Sequence, residues 1–147
     1  MYAGKPPGAA PEPAPLARRT PAFLLDQFAV ILLVVPPALA ASVPFEDVVS
    51  PGDTRRVIFL VLMAVAFVYH LLLEWLTGLT LGKRALGLRV VADDGTPLGI
   101  RGSLLRNALR LIDGLGYWGV AVAVILIRGD GKRLGDVAGR TLVVRDR

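Results

Sequence analysis

An acidic residue interrupts the first long apolar run of the chain. Asp26 lies within the apolar residues 22–35, and Arg19 precedes it by seven residues. Seven residues make about two helical turns, so both side chains share one helix face, ~10 Å apart. His70 and Glu74 lie near the end of a second apolar run, and their i,i+4 spacing also places them on one face.

Ionisable side chains are costly inside a bilayer or a protein core, and within membrane segments they often carry protons or bind ions. If the two runs are antiparallel helices, Asp26, His70 and Glu74 lie at a similar depth. We therefore state the hypothesis that these three residues form an ion or proton cluster beside Arg19. The alternative is a satisfied polar network that fastens two helices together.

The composition indicates an integral membrane protein. Of the 147 residues, 54% are hydrophobic and the mean hydropathy is +0.58, whereas soluble domains are about 45–50% apolar. The net charge of +5 fits Lys and Arg flanking membrane segments beside anionic lipid headgroups. Basic stretches without interleaved aromatics argue against nucleic acid. The chain has no Cys and one His, so no metal site is predicted.

Two segments are predicted to span the membrane, residues 21–43 and 57–77, since each can cross a ~30 Å hydrocarbon core. Five prolines within residues 1–17 predict a disordered Pro/Ala-rich tail, which leaves 18–147 as the membrane domain. Pro36 and Pro37 predict either a tolerated kink or a broken helix in the first span.

The region after the second span predicts strands and an amphipathic helix. Residues 86–92, 93–95 and 96–98 are typical of a strand, a turn and a return strand. Residues 141–144 could add a third strand on the same side. The basic helix predicted over 102–112 could lie in the headgroup plane. The apolar run 115–127 is short for a full span.

Basic residues are concentrated before the first span, in 78–112 and in the tail, which places all three in the cytoplasm. Two spans satisfy this pattern, with 101–127 as a re-entrant hairpin bent at 113–116. There Asp113 could satisfy backbone N–H groups. The alternative is an ordinary third span with an external tail. The predicted fold class is an all-α membrane protein with two spanning helices, a re-entrant or third membrane helix, and a small cytoplasmic β-hairpin or sheet.

Several motifs together resemble the RDD family of bacterial multi-pass membrane proteins. The matching stretches are residues 19–26, 80–91, 95–97, 105–113 and 133–144. The arginine and two aspartates for which that family is named match Arg19, Asp26 and Asp136. Arg140 departs from the usual Ala-Gly-Thr run and could shift the register of the last strand. The resemblance implies a location in the bacterial plasma membrane, with a cytoplasmic N-terminus, and a transport-related activity such as cation/proton exchange.

The remaining polar residues favour structural roles. Asp136 could cap a short turn or pair with Arg19, Lys83 or Arg84. Residues 78–84 are one residue short of a phosphate-binding P-loop, and nothing suggests an enzyme or a cofactor. The predicted function is a transport-related component that handles cations, protons or a small solute. The alternative is a non-transporting structural or accessory subunit, as a homo-oligomer or with another membrane protein.

Overall fold

Two long apolar helices dominate the fold. The computed structural model describes residues 11–115, 119–129 and 132–146. Helices α1 (Leu16–Ala40) and α3 (Asp53–Thr77) have 25 residues each, and the short helix α2 (Phe45–Val49) lies between them. At ~1.5 Å per residue each long helix extends roughly 37 Å, enough to cross a bilayer. Only 22% of the most apolar stretch of each is buried, so both present apolar faces to their surroundings.

Helix α1 begins earlier than predicted and continues through its prolines. Pro21 is the sixth residue of the helix rather than part of its first turn, and Pro36 and Pro37 lie inside it. Of the two alternatives, a tolerated kink or a broken helix, the broken helix is therefore absent. The buried face of α1 carries Asp26 together with Ala22, Val30 and Val34. These four positions follow an i,i+4 row, which is the spacing of a single packed helix face.

The sheet is two-stranded. Strand β1 (Leu88–Ala92) pairs antiparallel with β2 (Thr141–Arg145), with Leu88 opposite Arg145. The predicted pairing of these two segments is confirmed, but the predicted return strand 96–98 is wrong. That segment makes only an isolated bridge between Val91 and Pro97, because proline has no N–H to continue a ladder.

The sheet lies at the end of the helix pair where α1 begins and α3 ends. The Ala14 N–H donates to the Val143 carbonyl at 2.7 Å, and the Val90 N–H donates to the Gly78 carbonyl at 2.7 Å. Short helices α4 (Leu81–Ala85) and α7 (Leu134–Gly139) flank the strands. Of the predicted tail, residues 1–10 lie outside the described part of the chain, whereas Ala14 is buried and Leu16 begins α1.

Helix α5 (Ile100–Leu115) has its polar face turned inward. Arg106 and Arg110 are 1% and 5% exposed, while Leu104 and Leu105 are 46% and 42% exposed. Arg106 is ion-paired with the buried carboxylates of Glu74 and Asp136, so its guanidinium group faces the interior of the chain. Helix α6 (Gly119–Arg128) follows and is roughly 15 Å long. Among the described residues, only α1 and α3 have the length and composition to span a membrane.

The predicted bend at 113–116 is only partly described. The backbone of 113–115 belongs to α5, whereas residues 116–118 and the side chain of Asp113 lie outside what the structure describes.

Candidate functional site

Asp26 accepts hydrogen bonds from three groups of this chain. Its Oδ1 accepts from the Tyr69 hydroxyl at 2.9 Å and from the Gly82 N–H at 2.8 Å. Its Oδ2 accepts from the Thr80 hydroxyl at 2.6 Å. Asp26 is 1% exposed, so these donors replace the water that a carboxylate would otherwise need.

Local sequence explains why α4 reaches Asp26. Thr80 caps the helix by accepting from the Lys83 N–H, as threonine commonly does at this position. Gly82 lies directly against α1: a Cβ there would overlap the Ala22 carbonyl and come within 3.0 Å of the Asp26 carboxyl carbon. The absence of a side chain at residue 82 therefore allows α4 to contact the first span at the buried aspartate.

His70 faces the same carboxylate at longer range. Its Nδ1 lies 2.8 Å from the Ala66 carbonyl, and a carbonyl only accepts, so Nδ1 carries a proton. Its Nε2 lies 3.8 Å from Asp26 Oδ2, beyond normal hydrogen-bond distance. A neutral His70 therefore directs a bare nitrogen at the carboxylate, and a second proton would turn this contact into a buried ion pair.

Glu74, one turn along α3, is held by a separate set of donors. Its Oε1 accepts from Lys83 Nζ at 2.6 Å. Its Oε2 accepts from Arg106 Nε and Asn107 Nδ2, each at 3.0 Å. Glu74 is fully buried, with 0% exposure. Charge-assisted bonds from two cations and an amide satisfy both oxygens of this carboxylate.

Asp136 forms the third acidic position and joins α7 to both α1 and α5. Its Oδ2 accepts from Arg19 Nη2 and from the Arg133 N–H, each at 3.0 Å, and the second bond caps the first turn of α7. Its Oδ1 is ion-paired with Arg106. Because Arg106 also binds Glu74, it connects the second span to the C-terminal segment.

These contacts form one polar cluster at the end of the helix pair where the sheet lies. Its members are Arg19, Asp26, Tyr69, His70, Glu74, Thr80, Lys83, Arg106, Asn107, Arg133 and Asp136. Within the described residues no group of three or more acidic, His or Cys side chains could hold a metal ion.

Burial lowers the pKa of basic residues in the cluster that lie outside the long helices, among them Lys83 and Arg133. Burial lowers the pKa of Lys83 from 10.5 to about 8, although the Glu74 carboxylate acts in the opposite direction. Burial also lowers the pKa of Arg133, and the nearby charges of Arg106, Arg110 and Arg19 add to this effect. The cations of the cluster therefore repel one another in a region shielded from water.

The structure brings together only part of the predicted ion cluster. Asp26 and His70 face each other, but Glu74 is held by Lys83, Arg106 and Asn107. Arg19 pairs with Asp136, which was one of the predicted options for that aspartate. Lys83 is buried at Glu74, whereas Arg84 is exposed.

Sequence reasoning missed the donors that hold these acids. Ser103, Arg106, Asn107 and Arg110 follow the i, i+3, i+4, i+7 spacing that normally marks a buried helix face, and all four are buried. This spacing is visible in the sequence, but basic residues at such positions predict a helix that lies in the headgroup plane. Thr80 and Tyr69 carried no comparable signal, because a single hydroxyl does not reveal its partner.

The sequence model of the RDD family matches residues 13–140. The chain belongs to the RDD family. Comparisons with curated proteins and with solved structures find no match. The match covers both long helices, the whole polar cluster and β1, so the family relationship extends over the site and not only over its apolar segments.

The RDD signature residues make two separate connections between elements of the cluster. Arg19 and Asp136 join the start of α1 to α7, although 117 positions separate them in the sequence. Asp26 joins α1 to α4 and to Tyr69 of α3. The residues that gave the first evidence of family membership therefore connect segments distant in sequence.

Proposed function

We propose that this RDD protein is a structural or accessory membrane subunit without catalytic activity of its own, and not a cation transporter acting alone. The proposal rests on the two buried carboxylates of the long helices, Asp26 and Glu74, which are already hydrogen-bonded by groups of this chain. Each oxygen of Asp26 and Glu74 accepts a hydrogen bond from a group of the same chain. A transported cation would have to displace these donors, including the charged Lys83 and Arg106 at Glu74, at a large cost.

We further propose that the protein has two spans, with its N-terminus, sheet and C-terminal segment in the cytoplasm of a bacterium. Strands β1 and β2 pair with each other, which supports an even number of crossings between them. The intervening α5 and α6 would then enter and leave the same membrane face, as a re-entrant hairpin or a surface pair. The basic residues around these elements support the cytoplasmic side.

The exposed apolar faces support a role in assembly within the bilayer. Leu24, Phe28 and Leu32 on α1 and Leu60 on α3 are each more than half exposed. The chain leaves more than half of each of these side chains uncovered, so these faces are available to lipid, to a second copy or to another membrane protein.

Flux measurement in reconstituted vesicles tests the proposal. Purified protein in liposomes with a trapped pH indicator should show no proton movement driven by sodium, potassium or lithium gradients beyond that of empty liposomes. Asp26→Asn should lower the thermal stability because it weakens the bonds to Tyr69, Thr80 and Gly82. Robust exchange in the wild type that Asp26→Asn abolishes without loss of fold would overturn the proposal.

Proton exchange is a second candidate, favoured by His70 alone. Its Nε2 lies 3.8 Å from Asp26 Oδ2, and this nitrogen could take up one proton. In this case His70→Gln should abolish exchange in the same vesicles and leave the unfolding temperature nearly unchanged, whereas the structural role predicts no flux in either protein.

A further inference from the structure

The outward surface of helix α5 is apolar on every side that the protein leaves open. Within residues 102–112 the four polar side chains are all buried, and each exposed or half-buried residue is Gly, Ala, Leu or Ile. A helix that lies on a membrane surface or in water has a polar strip directed at the solvent. This part of α5 has none. We call its exposed residues the outer face of α5, and they are Leu104, Leu105, Ala108 and Ile112.

The start of α5 contacts the second long helix inside that helix's end. The Ser103 hydroxyl donates to the Leu71 carbonyl at 3.0 Å. Leu71 precedes Thr77, the last residue of α3, by six residues, which is roughly 9 Å along the helix axis. The apolar part of α3 therefore already lies beside the first turn of α5.

The far end of α5 lies further along α3. Arg110 and Leu111 line a cavity of about 170 Å³ together with residues of α1 and α3. The α3 residues in this lining are Phe59, Leu62, Met63, Ala66 and Phe67. Met63 precedes Leu71 by eight residues, or roughly 12 Å, and Ser103 and Leu111 are also eight residues apart. Helix α5 thus advances toward the middle of α3 instead of lying across its end.

The lengths of α5 and α6 fit a segment that enters and leaves one leaflet. Residues 102–115 of α5 extend roughly 20 Å and the ten residues of α6 roughly 15 Å, each shorter than a ~30 Å hydrocarbon core. Strand β1 precedes these helices, β2 follows them, and the two strands pair. Near the end of α6, Leu126 and Ile127 are 69% and 84% exposed, so this helix also presents apolar side chains to its surroundings.

We propose that α5 is inserted in the cytoplasmic leaflet and that its outer face contacts the acyl chains of membrane lipids. The outer face has the same chemistry as the exposed faces of α1 and α3, represented by Leu24 and Leu60. On the opposite side of α5, Arg106 and Asn107 donate to Glu74, so these polar groups are satisfied inside the protein, as insertion requires. This inference rests on the proposed two-span topology and deepens it, because it selects insertion over a surface position.

Spin labels on single cysteines test the depth of α5. The full-length chain has no native cysteine, so Leu104→Cys and Ile112→Cys can each be labelled and reconstituted in vesicles of phosphatidylcholine and phosphatidylglycerol. Electron paramagnetic resonance then compares collisions with oxygen, which concentrates in hydrocarbon, and with a water-soluble nickel chelate. Both labels should favour oxygen, and the label at residue 112 should lie deeper by up to ~12 Å, since eight residues separate the two positions.

Two control positions calibrate the measurement. Leu60→Cys lies on the exposed apolar face of α3 and should favour oxygen, whereas Arg84→Cys is exposed outside the long helices and should favour the nickel chelate. Leu105→Cys and Ala108→Cys are exposed on the same face of α5. They supply a second pair of depths if a label at residue 104 or 112 unfolds the protein.

Three results would overturn the inference. Preferential collision of the label at residue 112 with the nickel chelate would place the outer face in water. Equal depths at residues 104 and 112 would make α5 a surface helix. Low collision with both reagents would show that a second copy or another protein covers the outer face. Failure of the two-span topology would appear separately, with Arg84→Cys and Ala138→Cys reacting on opposite sides of the membrane, and ion exchange would overturn the assembly role without changing these depths.

Discussion

Removing the charge of Glu74 should destabilise the protein more than any comparable change at its surface. The carboxylate is completely buried and accepts bonds from Lys83, Arg106 and Asn107. In Glu74→Gln, Lys83 stays buried without its carboxylate, while Arg106 keeps its ion pair with Asp136. Removing one partner of a buried ion pair typically costs ~3–5 kcal/mol. Since whole proteins are stable by about 5–15 kcal/mol, this change should remove a large share of the total.

The assay is reversible unfolding in lipid bicelles, followed by tryptophan fluorescence during titration with a denaturing detergent. Glu46→Gln makes the same chemical change at an exposed position of α2, and its effect should stay within about 0.5 kcal/mol. Adding Lys83→Met to Glu74→Gln should cost less than the sum of the single changes by roughly 0.5–3 kcal/mol, because the two residues are in contact. A cost for Glu74→Gln under about 1 kcal/mol, or strict additivity, would refute the reasoning.

Two further predictions use the same unfolding assay. Gly82→Ala forces a methyl group into the Ala22 carbonyl and should cost about 1–3 kcal/mol of unfolding free energy. Gly99→Ala is the control, because nothing lies within 4 Å of a Cβ at that position, and it should change the stability little. Equal effects of the two substitutions would contradict the tight contact between α1 and α4. The folded pKa of Lys83, about 8, lies below its unfolded value of 10.5, so the unfolded chain binds more protons between these values and the free energy of unfolding should rise with pH across that window. Lys83→Met should lack this part of the rise, and an unchanged pH profile would show that Lys83 titrates normally.

The sequence predicted the parts of the fold that depend on hydrophobicity and local pattern. Residues 57–77 were sufficiently apolar to identify the second span, and α3 ends at Thr77 as predicted. The valine-rich runs around Val90 and Val143 were correctly expected to pair. These features can be predicted because hydrophobic patterning and strand propensity act over short stretches of sequence.

The polar contacts could be predicted less well, because they depend on which face of each helix packs inward. The amphipathic pattern of α5 is the same whether Arg106 faces lipid headgroups or Glu74. The choice is made by the buried carboxylate of α3, thirty-two positions away in the sequence. The sequence left Arg19, Lys83 and Arg84 as possible partners of Asp136. These side chains carry equal charge, so only the fold shows that Arg19 is the partner.

One labelling measurement tests most directly the claim that every element of the polar cluster lies at one face of a two-span protein. The chain has no native cysteine, so single substitutions at the exposed positions Asp47, Arg84 and Ala138 can be labelled without background. With a membrane-impermeant maleimide, Asp47→Cys should react in intact spheroplasts. Arg84→Cys and Ala138→Cys should both react only after lysis. Labelling of the last two on opposite sides of the membrane would separate β1 from β2 and contradict the account.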